Sequence, residues 1–158
     1  MRVVAIILLF ITLFVGVYFG YCYIGLAMQI ESVTAEWVTV DDDMEKFVHI
    51  ERQIEEGFFS GNLYAEPPLP GASEAAFLTL TVRMSNKGLL DQDWIEIHVT
   101  PREGDIALLA QERTPTLAAN TRADFSVTLL TRPGAEEQRD IRISYYVLGR
   151  KYEVAYGI

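Results

Sequence analysis

Hydrophobic and polar positions follow two different rhythms along these 158 residues. Between Arg2 and Glu31, no side chain from Val3 to Met28 is charged. As a helix that run would measure roughly 39 Å, against about 30 Å for the hydrocarbon core of a bilayer. A soluble core helix would show a polar stripe, and only Thr12 interrupts the first half. The run predicts a transmembrane anchor over residues 1–28. A cleaved signal peptide is the competing reading, with Gly25 and Ala27 as small residues before a cut at Met28. Against it, the apolar stretch is about twice the length of a signal core and its charged leader is a single Arg. A lipoprotein anchor on Cys22 fits poorly, because Tyr21 stands where a small residue is wanted. Cys22 reads as an inert thiol in the span.

From Ala76 onward the rhythm changes to period two, the signature of half-buried strands. Leu78, Leu80, Val82 and Met84 alternate with Thr79, Thr81, Arg83 and Ser85 before the turn Asn86-Lys87-Gly88. Ile95, Ile97 and Val99 alternate with Glu96, His98 and Thr100, closed by Pro101 and Gly104. Ile106, Leu108 and Ala110 make a shorter strand that ends at Thr114-Pro115. Phe125, Val127 and Leu129 face one way on the next strand, which stops at Arg132-Pro133-Gly134. Ile141, Ile143, Tyr145 and Val147 then lead through Gly149-Arg150 into Tyr152, Val154 and Tyr156, a hairpin pattern. Upstream, Ile30 to Val40 reads as a first strand, with Ile30, Val33, Ala35 and Trp37 as its apolar positions.

One segment breaks the strand pattern. Asp42 and Glu45 fit a capping box, and Phe47, Ile50, Ile54 and Phe58 recur at helical spacing around Gly57. The spacing predicts an amphipathic helix over Asp43–Glu56. A loop with Pro67, Pro68 and Pro70 returns the chain to the sheet. The expected architecture is mainly β: a transmembrane helix, then at 29–158 an immunoglobulin-like antiparallel β-sandwich of about seven strands, with a helix–loop insert at about 41–75.

The residues Val82-Arg83-Met84-Ser85-Asn86-Lys87-Gly88, followed by Trp94-Ile95-Glu96-Ile97, carry a family resemblance. The chain resembles the prokaryotic immunoglobulin-like domains of the cell-adhesion-related and fibronectin-type-III-like kinds, in which a Val-x-x-x-Asn-x-Gly turn recurs at this place. More faintly it is similar to the late-embryogenesis-abundant type 2 domain, another membrane-tethered sandwich. The likeness covers Ile30–Val40 and Ala76–Ile158. It implies a binding or structural module and brings no catalytic residues. The inserted helix departs from both families.

Charge bears on orientation and partners. Arg2 is the sole charged residue among the first 28, so the remainder holds 12 basic and 22 acidic residues, a net charge of −10. Retention of cations on the cytoplasmic side places the N-terminus inside and the domain outside. Tyr18, Phe19, Tyr21 and Tyr23 would form an aromatic belt at the outer end. An acidic domain is a poor match for nucleic acid or an anionic surface. The single cysteine leaves no intrachain disulfide, which suits a bacterial or archaeal exported domain.

Candidate chemistry is sparse. His49 and His98 are the only histidines, both read as surface residues without further metal ligands. The run Asp41-Asp42-Asp43-Met44-Glu45 has Lys46 where a calcium loop needs glycine, and a solvated helix start explains it better. A calcium site shared with Asp91 or Asp93 is the one alternative left open. Ser60 lacks a nucleophile elbow, and Glu55-Glu56 or Glu136-Glu137 are sequence neighbours that do not face each other. No catalytic residue, metal or cofactor is expected.

Two features point to contact with other molecules. Gly16 and Gly20 form a Gly-x-x-x-Gly pair at which a second membrane helix could pack. Phe58, Phe59, Leu63 and Tyr64 concentrate apolar area in the insert, where a partner-binding surface is expected. The leading reading is a non-enzymatic, single-span membrane protein whose module meets a protein partner in or near the same membrane, for interaction or envelope-complex assembly. Two alternatives stand beside it. One is a pilin-like filament subunit, disfavoured because only Met1-Arg2 precedes the apolar stretch. The other is a small-ligand or carbohydrate-binding module, for which Trp37 and Trp94 are the candidates, each expected in the core or half-buried.

Overall fold

The computed structural model describes residues 2–24, 28–111 and 115–157. Helix α1 spans Arg2–Ile24, and its apolar side chains from Val3 to Tyr21 are exposed around the whole circumference. A core helix would bury one side against the domain. This one does not, and it is long and apolar enough to cross a membrane, a property that a span and a signal sequence share. Its one threonine, Thr12, donates its hydroxyl to the Leu8 carbonyl one turn back at 2.9 Å and needs no water. The small residues Gly25 and Ala27 lie outside the described residues, as do the side chains of Cys22 and Tyr23 and the end of the strand break at Thr114.

Eight strands follow: β1 (Met28–Thr39), β2 (Asn62–Leu63), β3 (Ala76–Asn86), β4 (Asp93–Val99), β5 (Asp105–Leu108), β6 (Arg122–Thr131), β7 (Ile141–Val147) and β8 (Arg150–Tyr156). They form two antiparallel sheets, ordered β1-β3-β6-β5-β2 and β4-β7-β8. Leaving aside two-residue β2, the seven remaining strands run A-B-E-D and C-F-G. That is the constant-type immunoglobulin topology. The insert joins A to B and contributes β2, which covers the outer edge of β5.

The main core lies between the sheets. Leu78, Leu80, Val82 and Met84 of β3 meet Ile95, Ile97 and Val99 of β4, with Val127, Leu129, Ile141, Ile143 and Val147 completing the layer. These are the inward-parity residues expected from the alternation. On β1 a register shift between Ile30 and Ser32 lets Ile30 sit opposite Met84 and Val33 opposite Val82, so both point inward despite their odd spacing.

A second core lies on the outer face of the larger sheet, an open sheet face on which the apolar stripe of the insert helix packs. Val38, Phe77, Leu130 and Ala107 are paired in sequence across four strands. Helix α2 (Met44–Glu55) lays Phe47 and Ile50 over this row, with Ile54 and Phe59 at its margin. Further along the same outer face the row turns polar. Thr79 meets Thr128, Thr81 meets Ser126, and Arg83 forms a two-bond pair with Asp124. The helix therefore covers the stretch where the outward side chains are apolar and stops where they are not. Two expectations need correction here. Ile106 and Leu108 do not share a face, because a register shift between Asp105 and Ala107 sends Ile106 to the second core and Leu108 to the first. Ala110 lies beyond β5 and is exposed.

The ends of α2 also differ from the expected capping box. A short 3-10 turn over Val40–Asp43 precedes the helix, and Asp42 accepts a bond from the Thr39 hydroxyl at 2.5 Å instead of capping. Asp43 takes the N-cap position without a side-chain cap bond. At the other end Gly57 adopts φ 76°, with Gly57 N–H bonded to the Ile54 carbonyl and Phe58 N–H to that of Gln53. This is a Schellman stop, which glycine permits at no steric cost. Phe58 thus falls past the helix end and outside its apolar stripe.

Candidate functional site

Seven large apolar side chains beyond α1 are exposed among the described residues. Four of them, Met44, Val48, Phe58 and Leu63, belong to α2 and the loop after it. Met44 and Val48 are one turn apart on the helix and flank the face that buries Phe47 and Ile50.

The four residues expected to meet a partner divide evenly. Phe58 is 59% exposed and Leu63, on β2, is 38% exposed. Phe59 packs instead against the second core beneath α2. Tyr64 packs against the main core, and its hydroxyl lies 3.5 Å from the Val99 carbonyl. Burial, and then the nearby Asp105 carboxylate, raise the Tyr64 phenol above its ordinary value. Gly61 explains the tight path between them, since a Cβ there would strike the Leu108 carbonyl and the Phe59 ring. Beside β2 a groove of about 280 Å³ runs toward β4, with Ser60, Asn62, Glu96, His98 and Gln111 on its walls. Neither Phe58 nor Leu63 lines it.

On α1, Gly16 and Gly20 sit on an uncovered helix surface, and a Cβ added at either would meet nothing within 4 Å. Tyr18 and Phe19 make an edge-on contact at 6.1 Å and, with Tyr21, remain exposed.

Among the described residues, His98 comes together with Ser144 and Glu96. His98 Nε2 lies 3.4 Å from Ser144 Oγ and 3.5 Å from Glu96 Oε2. A catalytic relay needs the acid on one ring nitrogen and the hydroxyl on the other, and here both face the same atom. His49 pairs with Gln53 on the exposed side of α2. Among the described residues, no three His, Cys, Asp or Glu side chains gather as metal ligands. The proposed sharing of a cation between Asp41–Asp43 and Asp91 or Asp93 does not form. The aspartate run follows the last residues of β1, while Asp91 and Asp93 lie by the end of β3 that faces its first. Asp91 instead accepts the Ala119 N–H at 2.7 Å, and Asp93 accepts the Thr116 hydroxyl at 2.9 Å.

The tryptophans part company. Trp37 is half-buried at the core margin, with Nε1 donating to Glu137 at 2.8 Å. Trp94 is 63% exposed, which corrects the expectation of a core or half-buried ring. The cause is a register shift between Asp93 and Glu96, where Trp94 adopts φ 53° and leaves the strand's alternation.

The resembled turn has a structural reason. Asn86 is buried, and its amide donates to the carbonyls of Leu90, Leu117 and Ala118 while its carbonyl accepts Gly88 N–H. One side chain thus fastens the β3–β4 and β5–β6 connections together.

No protein-family model matches the chain, and no curated protein matches it either. Among solved structures, the chain is similar to the yeast GGA1_GAE domain at 16% identity and a TM-score of 0.40, over 61% of this chain and 83% of that one. The strand order described above carries the immunoglobulin-like assignment.

Proposed function

We propose that this chain is a non-enzymatic, single-span membrane protein that presents an immunoglobulin-like module outside the cytoplasm for contact with a protein partner. The observation that carries the reading is the pairing of a helix whose apolar side chains are exposed on every side with a sandwich that starts at Met28, four residues after Ile24. Such a helix is stable in lipid and a liability in water. Arg2 on one side and the acidic domain on the other favour an inside N-terminus. The partner-facing region is the insert, where Phe58 and Leu63 stand exposed. A partner in or near the same membrane fits the short connection, and Gly16 with Gly20 offers it a helix-packing face.

The test is site-specific photocrosslinking in the full chain within native membranes, with a photoreactive phenylalanine at position 58 or 63. A discrete crosslinked protein from either position supports the reading. Crosslinking no stronger than from the buried Ile143 position would overturn it.

A further inference from the structure

Among the described residues, three large exposed apolar side chains lie outside both α1 and the insert: Leu89 at 50%, Trp94 at 63% and Leu148 at 84%. Strand register brings all three to one end of the sandwich. Met28 pairs with Asn86, after which the chain enters the loop that holds Leu89. That loop delivers the chain to Asp93, which pairs with Tyr146, so Trp94 and the β7–β8 turn with Leu148 share the same end. It is also the end where β1 begins. Between Ile24 and Met28 an extended chain covers at most about 14 Å. The end of α1 therefore tethers this face of the domain and no other.

Two further observations set the face apart. Trp94 and Leu148 hold φ of 53° and 49°, left-handed backbone that bulky side chains rarely adopt. Leu148 precedes Gly149, φ 76°, in a two-residue hairpin turn whose first place ordinarily goes to Asn, Asp or Gly. At both places strained backbone coincides with an outward apolar side chain. The charge pattern also changes. Residues 41–75, beyond the far end of β1, hold nine acidic and two basic side chains. Around the apolar trio the charges balance, Lys87, Arg122, Arg150 and Lys151 against Glu31, Asp91, Asp93 and Glu153, with Arg122 3.1 Å from Glu31 and Lys151 3.3 Å from Glu153.

We propose that this end of the domain lies on the outer membrane–water interface, with Leu89, Trp94 and Leu148 at the headgroup–acyl boundary and Lys87, Arg150 and Lys151 at the level of the phosphates. Indole suits that boundary, having an apolar body and one N–H donor. Lysine and arginine reach phosphates while their stems stay among the acyl chains. A lipid surface is favoured over a protein occupant because the covalent tether holds this face against it. The inference rests on α1 being a membrane span.

The experiment uses the full chain carrying Trp37→Phe, reconstituted into phosphatidylcholine vesicles with and without acyl-brominated lipid. The expected result is blue-shifted Trp94 emission that the brominated lipid quenches and aqueous iodide does not. A chain that floats with the vesicles yet keeps iodide-quenchable Trp94 emission would overturn the inference and leave the anchor reading intact. Blue-shifted emission insensitive to brominated lipid would also overturn it, in favour of a protein contact. A chain that fails to float would sink both readings. Should Trp37→Phe not fold, a nitroxide on Leu148→Cys in a Cys22→Ser background reads the same depth. Oxygen then broadens the signal more than a water-soluble nickel chelate does if the inference holds, and less if it fails.

Discussion

Arg139 donates through Nη2 to the carboxylate of Asp105 at 2.9 Å, and neither side chain has any exposed surface. The arginine also donates through Nη1 to the carbonyls of Glu136 and Gln138, while Asp105 accepts the Arg102 N–H at 2.8 Å. The pair fastens the connection before β7 to the start of β5, so it links the two sheets. Removing one partner strands a buried charge. Arg139→Ala is expected to cost about 3–5 kcal/mol. Denaturant unfolding of the soluble domain checks this, and the Arg139→Met, Asp105→Leu double variant should recover most of the loss.

The helix over the second core makes a separate prediction. Phe47→Ala should destabilise by about 3–5 kcal/mol and Ile50→Ala by about 2–5 kcal/mol, because each leaves a cavity above Phe77 and Leu130. Phe58→Ser, past the helix end, should stay within about 0.5 kcal/mol. Thermal melts of the three variants compare them directly.

The left-handed residues predict a gain. In the domain without α1, Leu148→Asn should raise stability by about 1 kcal/mol, since asparagine tolerates that backbone and leucine does not. Chemical denaturation reads the shift.

These cases mark what could be read from the residues alone. Inward parity was legible in Leu78, Leu80, Val82 and Met84, because burial between two sheets repeats every second residue. The outward core was legible from the helix side alone, where the stripe of Phe47, Ile50 and Ile54 calls for a sheet face to cover. Phe77 and Leu130 look like ordinary breaks in the alternation until α2 is seen above them, and periodicity reports that a side is covered without naming the cover. Ile106 and Trp94 were misplaced for another reason: a register shift reverses parity, and neither shift carries a glycine or proline to announce it. In the insert, helical spacing extended the stripe to Phe58, although Gly57 ends the helix one residue earlier. Phe59 and Tyr64 are as apolar in sequence as Phe58 and Leu63, and only tertiary packing separates the half-buried pair from the exposed one.

Stability should depend on pH at both extremes. Burial raises the Tyr145 phenol above its ordinary 10.0, against the opposing bond from Met28 N–H, and Tyr64 is raised chiefly by burial as well. Groups raised in the folded state favour folding below their unfolded value, and that contribution disappears as pH climbs through the folded one. The unfolding midpoint should therefore fall above pH 10, with Tyr145→Phe showing a smaller fall. At the acid end the Arg83 guanidinium lowers Asp124 from 3.8, so its contribution is present above that value and lost as pH drops. Asp124→Asn should flatten the acid limb. Midpoints measured across the pH range test both slopes.

The central claim is that α1 holds this sandwich outside the cytoplasmic membrane. It is tested most directly by Ser73→Cys in the full chain, since Ser73 is an exposed residue of the insert. A membrane-impermeant maleimide applied to intact expressing cells should label that cysteine, on a chain that stays in the membrane pellet through alkaline carbonate. Labelling only after permeabilisation, or recovery of a soluble chain shortened at its N-terminus, would contradict the account.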